Sequence, residues 1–309
     1  MNYSIVITTY NGAKYLLEQL DSIRLQTIPP DEVLIFDDRS TDSTPKLIID
    51  YIDKNELSWN FVINDRNLGW KRNFMQGISK ATGNIVFLSD QDDVWLLDKC
   101  EKMLEIMKNI PRCNLLMSNY KPVFMDERNK SSFGIKRQSN NRKVMKIPCN
   151  AKRLFTVYRP GCTYCLRKDF FNSIEDYWYD EVAHDRYIYN SALISDSVYL
   201  YNYRAIIFRR HNRNNSPKNI RTSKNRISGI EYLEKLFNVF FGNIDLFTSQ
   251  NQDKSLEGLN RVLEFCQYRD LYYKSPTLVC WFKGFIRYHK IYPSFRSIFS
   301  DLYIVLRKR

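Results

Sequence analysis

Acidic side chains dominate the residues of this chain that could do chemistry. Phe87-Leu-Ser-Asp-Gln-Asp-Asp-Val-Trp95 sets Asp90, Asp92 and Asp93 within four positions, between apolar flanks. Clustered carboxylates repel one another unless a cation binds, and hard oxygen ligands at this spacing suit Mg²⁺ or Mn²⁺. The alternative is a solvated acidic turn. A second acidic stretch, Phe36-Asp-Asp-Arg-Ser-Thr-Asp42, follows another apolar run, where a turn capped by Asp and Ser is the competing reading. Seven Cys stand at scattered positions, an odd number that suits a reducing compartment. Cys162 and Cys165 form a CxxC, but no second pair of Cys or His completes a zinc set, so the motif is set aside.

The elements around these residues alternate in type. Ser4 to Thr9 is a β-branched run ended by Tyr10-Asn11-Gly12. Tyr15, Leu16, Leu20 and Ile23 then recur at helical spacing, and Glu32 to Phe36 makes a second strand. Pro45 opens a helix through Ile52, Trp59 to Ile63 is a third strand, Trp70 to Thr82 a helix ended by Gly83, and Asn84 to Leu88 a fourth strand. Strands alternating with helices predict a mainly parallel sheet with right-handed crossovers, whose ligands bind beyond the carboxyl ends of the strands. Both acidic loops fall at that rim. A helix through Met103 and Met107 and a strand over Asn114 to Tyr120 follow, and 126–142 reads as an exposed polar loop. After about residue 225, Ile230, Leu233, Leu236, Phe237 and Phe240 predict helix, continuing to the end.

Four segments, in this order and spacing, resemble glycosyltransferase family 2, nucleotide-sugar-dependent inverting enzymes with the GT-A fold. They are Thr8-Thr-Tyr-Asn11, Phe36 to Asp42, Asn67-Leu-Gly-Trp-Lys-Arg-Asn-Phe74 and Phe87 to Trp95, and the last is similar to the bacterial rhamnosyltransferase-like branch. The resemblance spans roughly residues 2–215 and implies a metal at Asp90 and Asp92, with Asp92 the direct ligand. It also implies nucleotide contacts from Thr8, Tyr10, Asn11, Asp38, Asn67, Lys71, Asp90 and Gln91. Such a site would neutralise the two phosphates of a UDP- or dTDP-type donor as the diphosphate leaves. Lys71 and Arg72 would add countercharge at the start of a helix, or else simply lie on its solvated face.

The family usually places an Asp, often after a His, as the base that takes the acceptor hydroxyl's proton. His184-Asp185-Arg186 matches, so Asp185 is the expected base, with Asp180 and Glu181 as neighbouring competitors. Arg186 stands where this branch commonly has Trp. His211, in Phe208-Arg-Arg-His-Asn-Arg, matches an element beside the donor phosphates and is a candidate third metal ligand; a solvated basic loop is the other reading. Arg159-Pro-Gly161 matches a segment near the acceptor or is a turn into a strand, and His289 has no matching context.

The 309 residues, 44% hydrophobic and 26% charged with only 10 Gly and 10 Pro, exclude a disordered or fibrous chain. The expected division is a GT-A domain over 1–220, with a nucleotide-sugar half at 1–100 and an acceptor half at 101–220, followed by a basic helical region at 221–309. No apolar run reaches bilayer-spanning length and Met1 opens into a strand, so the expected location is the cytoplasm. The net charge of +13 is almost wholly C-terminal. Basic and aromatic residues interleave from Leu278 onward, which suits the inner membrane surface, with helices packed on the catalytic domain as the alternative. The expected acceptor is a growing surface glycan, free or lipid-linked. A nucleic-acid-binding protein and a catalytically inert glycan-binding module are the competing functions; acidic loops at successive strand ends and the lack of a recognition motif speak against nucleic acid.

Overall fold

β-Branched and aromatic runs with no polar alternation form strands buried on both faces, and the first third of the chain is written that way. In the computed structural model, which describes residues 1–125, 138–211, 223–247 and 252–307, β1 (Tyr3–Thr9), β2 (Glu32–Asp37), β3 (Asn60–Ile63) and β4 (Ile85–Ser89) lie parallel in the order β3-β2-β1-β4. Every residue of β1 and β4 is buried. Helices α1 (Leu16–Arg24), α2 (Thr44–Lys54) and α3 (Trp70–Lys80) make the crossovers. Strand order reverses at β1, with β2 and β3 on one side and β4 on the other. The loops after β1 and β4 therefore flank a crevice at the carboxyl edge of the sheet, the usual ligand position in such folds.

Beyond β4 the sheet becomes mixed. The two-residue β5 (Val94–Trp95) follows the acidic loop, α4 (Lys99–Asn109) leads to β6 (Leu115–Phe124), and β7 (Val144–Lys146) and β8 (Tyr164–Arg167) are short. After α6 (Lys168–Ile174) and α7 (His184–Ile194), the long β9 (Val198–Arg210) lies parallel to β6 and antiparallel to β5 and β7. The longest ladders, β6 with β9 and β1 with β2, are parallel, so the mixed but mainly parallel sheet expected from the alternation is borne out. Of the expected polar loop, residues 126–137 lie outside those described; Gln138 is anchored, its carbonyl accepting from Arg204 Nε at 3.1 Å.

The chain divides into two compact units. One holds the sheet with residues 1–147, 159–189 and 197–211, apart from 126–137; the other holds 148–158, 190–196 and the described residues from 223 on. In the second unit are α5 (Ala151–Phe155), α8 (Ser223–Gly242), α9 (Ile244–Phe247), α10 (Gln252–Lys274), α11 (Leu278–Tyr288) and α12 (Phe295–Arg307). The five apolar positions that predicted α8 are all buried. In the same unit Asp301 is buried and accepts from Arg226 Nη1 (2.8 Å), Arg269 Nη2 (3.1 Å), Tyr273 Oη (2.8 Å) and Tyr292 Oη (2.8 Å). Breaking such a buried pair costs about 3–5 kcal/mol, because it strands the remaining charges. None of the seven cysteines forms a disulfide. Among the described residues no helix is long and apolar enough to cross a membrane.

Candidate active site

The site begins where β1 and β4 stop. Leaving the sheet, Tyr10 donates its N–H to Gln91 Oε1 at 2.8 Å and Gln91 Nε2 donates back to the Tyr10 carbonyl at 3.0 Å, which clamps the acidic loop to the end of β1. Gln91 packs so closely over Gly12 that a Cβ there would sit 2.1 Å from its Oε1, so any side chain at this position would push Gln91 out of its clamp on Tyr10. Asn11 takes the left-handed conformation (φ 50°), and its Oδ1 accepts from the N–H groups of Thr41 (2.8 Å) and Asp42 (3.3 Å). Thr8 and Asp38 are buried, whereas Tyr10 is exposed. Asp38 accepts from Leu68 N (2.6 Å), Gly69 N (2.8 Å) and Asn64 Nδ2 (3.0 Å), and Asn67 Nδ2 donates to the Asp38 carbonyl. Asp38 and Asn67 thereby shape the turn that launches α3. Asp37, which the sequence reading passed over, is fully buried and fixes Thr9 and Ser40.

Lys71 and Arg72 are engaged with the segment before α7. Lys71 Nζ donates to the Glu181 carbonyl at 2.7 Å, and the Arg72 guanidinium pairs with Asp180, Nε to Oδ1 at 3.0 Å. Together they tether the segment that enters α7. Asp185 lies in the first turn of that helix and accepts from the Arg186 N–H at 2.7 Å. His184, one residue earlier, is buried against Phe74, ring centroids 4.1 Å apart, with Trp70 at its edge. Burial holds its imidazole down at about 4, so it is a neutral packing group at physiological pH. Gly161 makes room for this helix start: a Cβ there would lie 2.8 Å from His184 Nε2 and 3.1 Å from Asp185 Cβ.

Four carboxylates converge. Burial pushes Asp90 up to about 7, and the neighbouring Asp92 and Asp185 add to the rise. Asp93 is raised well above the ordinary carboxylate range by complete burial and by Asp92 and Asp90. The structure brings Asp92 and His211 together, Oδ2 to Nε2 at 2.8 Å, with the imidazole stacked on Tyr15 at 4.7 Å. Positive charge comes from β9. Arg209, almost fully buried, donates to Glu18 Oε2 (2.7 Å), to the Tyr15 carbonyl (3.0 Å) and to the Asp92 carbonyl, while its own N–H meets Asp93 Oδ1 at 3.2 Å. Arg210, buried beside it, lies within reach of Asp92 and Asp93. Underneath, the buried Lys99 ammonium stands 3.0 Å from the Trp95 ring centroid, lowered to about 8 by burial, with Asp93 among the groups opposing that shift.

Asp93, Arg209, Arg210 and Lys99 were not singled out from the sequence. The signal for the arginines was present in the basic pair that closes a β-rich run; Lys99 has no local signature.

These donors can be tested against a divalent cation. Asp90, Asp93 and Cys162 present ligand atoms all within 4.8 Å of one another. Cys162 is a poor member of such a set, because burial and the two carboxylates push its thiol well above the usual range and it hydrogen-bonds Asp93. A hard cation prefers oxygen, with imidazole tolerated, and the mutual repulsion that raises Asp90 is what a cation would relieve. The oxygens of Asp90 and Asp93, and the carboxylate and imidazole of the neighbouring Asp92–His211 pair, are donors of the type that Mg²⁺ or Mn²⁺ takes.

Residues 4–174 match the sequence pattern of Glycosyl transferase family 2, more than half of the chain. The chain belongs to that family. An uncharacterized protein of Mycobacterium tuberculosis is 31% identical to this family 2 member over 132 residues, 42% of this chain and 38% of that protein, so the chain spans well under half of that relative. The dTDP-rhamnosyl transferase RfbG of Shigella flexneri is 25% identical over 234 residues, 69% of this chain and 74% of RfbG. The crystal structure of S. aureus TarS in complex with UDP-GlcNAc superimposes with a TM-score of 0.64 at 16% identity, covering 92% of this chain and 79% of that one. The GT-A fold implied by the sequence resemblance is borne out by that likeness.

Proposed function

We propose that this family 2 protein transfers a sugar, with rhamnose or another hexose the candidates, from a UDP- or dTDP-type nucleotide sugar to a hydroxyl of a growing cell-surface glycan, with inversion at the anomeric carbon. One observation carries the reading: Asp90, Asp92 and Asp93, in the loop between β4 and β5, come together with Asp185 of α7 at the carboxyl edge of the sheet, with His211 and two buried arginines beside them. A structural ion-pair network does not need unbalanced carboxylates, and a site that receives a cation and a diphosphate does.

Asp185 is the base. It accepts the proton of the acceptor hydroxyl as that oxygen bonds to the anomeric carbon, and the bond from this carbon to the diphosphate breaks with its electron pair leaving on the nucleoside diphosphate. Attack from the face opposite the leaving group inverts the configuration. Mg²⁺ or Mn²⁺ held by Asp90, Asp92 and His211 would supply positive charge to the departing diphosphate. The clamps set by Gln91 and Asn11 hold the acidic loop and the loop after β2 in place before substrate arrives, so less order has to be acquired on binding. The base and ribose are assigned to the carboxyl end of β1 and β2, with the exposed Tyr10 facing them, Thr8 and Asp38 buried behind, Asp38 holding the turn into α3, and Lys71 acting through the segment that leads to Asp185. The names of RfbG and TarS support the two donor types, one being a dTDP-rhamnosyl transferase and the other having been crystallised with UDP-GlcNAc.

Calorimetric titration of UDP, dTDP and GDP, with and without Mn²⁺, into the wild type and Asp92→Ala tests this directly. Metal-dependent binding of one nucleotide, abolished in the variant, is the expected result. Absence of binding by all three in both conditions would overturn the transferase reading.

A further inference from the structure

Helices α11 and α12 each carry two apolar faces, and their own unit explains only one of them. The inner face is accounted for: Gly284 and Tyr288 of α11, Ile298 of α12, and Ile291 and Tyr292 of the turn between them are buried. Gly284 lets the Tyr268 ring lie against α11, since a Cβ would fall 1.8 Å from the Tyr268 hydroxyl and displace it. On the outer face, Val279, Phe282 and Ile286 recur at three and four residues along α11, 64%, 56% and 60% exposed. Along α12, Phe295, Phe299 and Tyr303 recur every four residues at 75%, 60% and 54%. Single exposed apolar side chains are ordinary; two continuous stripes on neighbouring helices are a surface waiting for an occupant.

Charge identifies that occupant. Lys283, Lys290 and Arg296 are exposed beside the stripes, and from Leu278 to Ser300 the sequence contains no Asp or Glu. The single carboxylate of the region, Asp301, is buried under Arg226, Arg269 and two tyrosines, so its charge is spent inside the unit. The exposed side chains of the two helices are therefore mostly aromatic, aliphatic and cationic, and an exposed carboxylate beside them, Glu264 of α10, is paired with Arg287 of α11 at 2.9 Å. A second copy of the chain is a poor fit, because a twofold contact would set the same lysines and arginine against one another. A bilayer with anionic headgroups meets both demands: it draws the cations, and the rings and aliphatic side chains enter the boundary between headgroups and acyl chains. Helices of 11 and 13 residues are too short to span the hydrocarbon core and are long enough to lie in its surface.

We infer that the outer face of α11 and α12 is a membrane-surface anchor that binds anionic lipid bilayers in plane. The attachment is independent of catalysis and its test does not use sugar transfer. The full chain would be floated with phosphatidylcholine vesicles, with and without phosphatidylglycerol, as wild type, Phe282→Asp/Phe299→Asp and Lys283→Glu/Arg296→Glu. All four replaced residues are exposed, so far-UV circular dichroism and thermal unfolding should match the wild type. The wild type should float with the anionic vesicles only, and each double variant should lose at least about tenfold in partitioning. Equal flotation of wild type and variants, no flotation of the wild type, or equal flotation with neutral vesicles would overturn the inference. So would a wild-type dimer in sedimentation equilibrium that Phe282→Asp/Phe299→Asp converts to monomer.

Discussion

Replacing Asp90 by Asn should stabilise the cation-free protein at neutral pH, an unusual direction for a substitution in an active site. The Asp90 carboxyl rises from an ordinary 3.8 to about 7, first through burial and then through Asp92 and Asp185. Because the folded value lies above the unfolded one, the contribution to stability is fully present below about pH 4 and is lost as pH climbs through 7. A rise of about three units at 1.36 kcal/mol per unit sets a ceiling of about 4 kcal/mol. Asp90 is only half-buried, so solvent screening brings the expected cost of its ionisation to about 2 kcal/mol. For a domain of this size that is a shift of about 4–8 °C in Tm. Scanning calorimetry of wild type and Asp90→Asn between about pH 5 and pH 8 in the presence of a chelator should show the wild-type Tm falling behind the variant by this amount. Adding Mn²⁺ at the upper pH should restore the wild type and leave the variant unchanged. Parallel Tm profiles with chelator would refute the claim that carboxylate repulsion is stored at this site, and equal responses to Mn²⁺ would refute the assignment of Asp90 as a ligand.

Three further outcomes are expected. Asp185→Asn should bind nucleotide within about twofold of the wild type yet lose about 10²- to 10⁴-fold in transfer rate, measured by release of nucleoside diphosphate; full activity would remove Asp185 as the base. Gly161→Ala would press a methyl group onto His184 and Asp185, which should cost about 1–3 kcal/mol in urea unfolding and lower kcat more than nucleotide affinity. His184, held at about 4 by burial, contributes stability that is present above about pH 6.5 and lost as pH falls through 4, at most about 3 kcal/mol. His184→Phe should flatten that acid limb, and an imidazole titrating near 6.5 by NMR would contradict the burial argument.

Legibility from the sequence followed the physics of local pattern. β1 to β4 and α1 to α4 lie close to where apolar period and turn residues put them, since each is buried on a regular face and bounded by Gly, Pro or acid. The 144–207 stretch is harder to read: α5 and α6 are short, β8 has four residues and is announced only by the turn at Arg159-Pro-Gly161, and neither α7 nor β9 carries a clean apolar period bounded by Gly or Pro. Asp92, Asp90, Asp185 and His211 were legible through motif likeness, and the structure does bring them to one place. Asp93, fully buried, has no role assigned by the motif, because nothing in a linear string tells which of two adjacent carboxylates turns into the core. Lys71 shows the converse: a cation at a helix start reads as a phosphate contact, whereas its ammonium here reaches carbonyls more than one hundred residues away. Cys162 was set aside for want of zinc partners, and its place beside Asp90 and Asp93 comes from pairings of β8 that no spacing rule encodes.

The path of β9 bears on how the protein is made. Asp92 and the arginine that props its loop are 117 residues apart, and among the described residues β5, the strand that follows the loop, pairs only with β9. A ribosome moving at 5–20 residues per second would expose the carboxylates roughly 6–25 seconds before Arg209, Arg210 and His211 emerge. During that interval the acidic loop has neither its strand partner nor the countercharge that β9 and the residue after it bring, Lys99 being a nearby cation that is already made. Premature termination between residues 94 and 198 would leave a fragment that contains the first four strands and the acidic loop with its centre unassembled, so the order of synthesis keeps the completed centre for the sheet that includes β9.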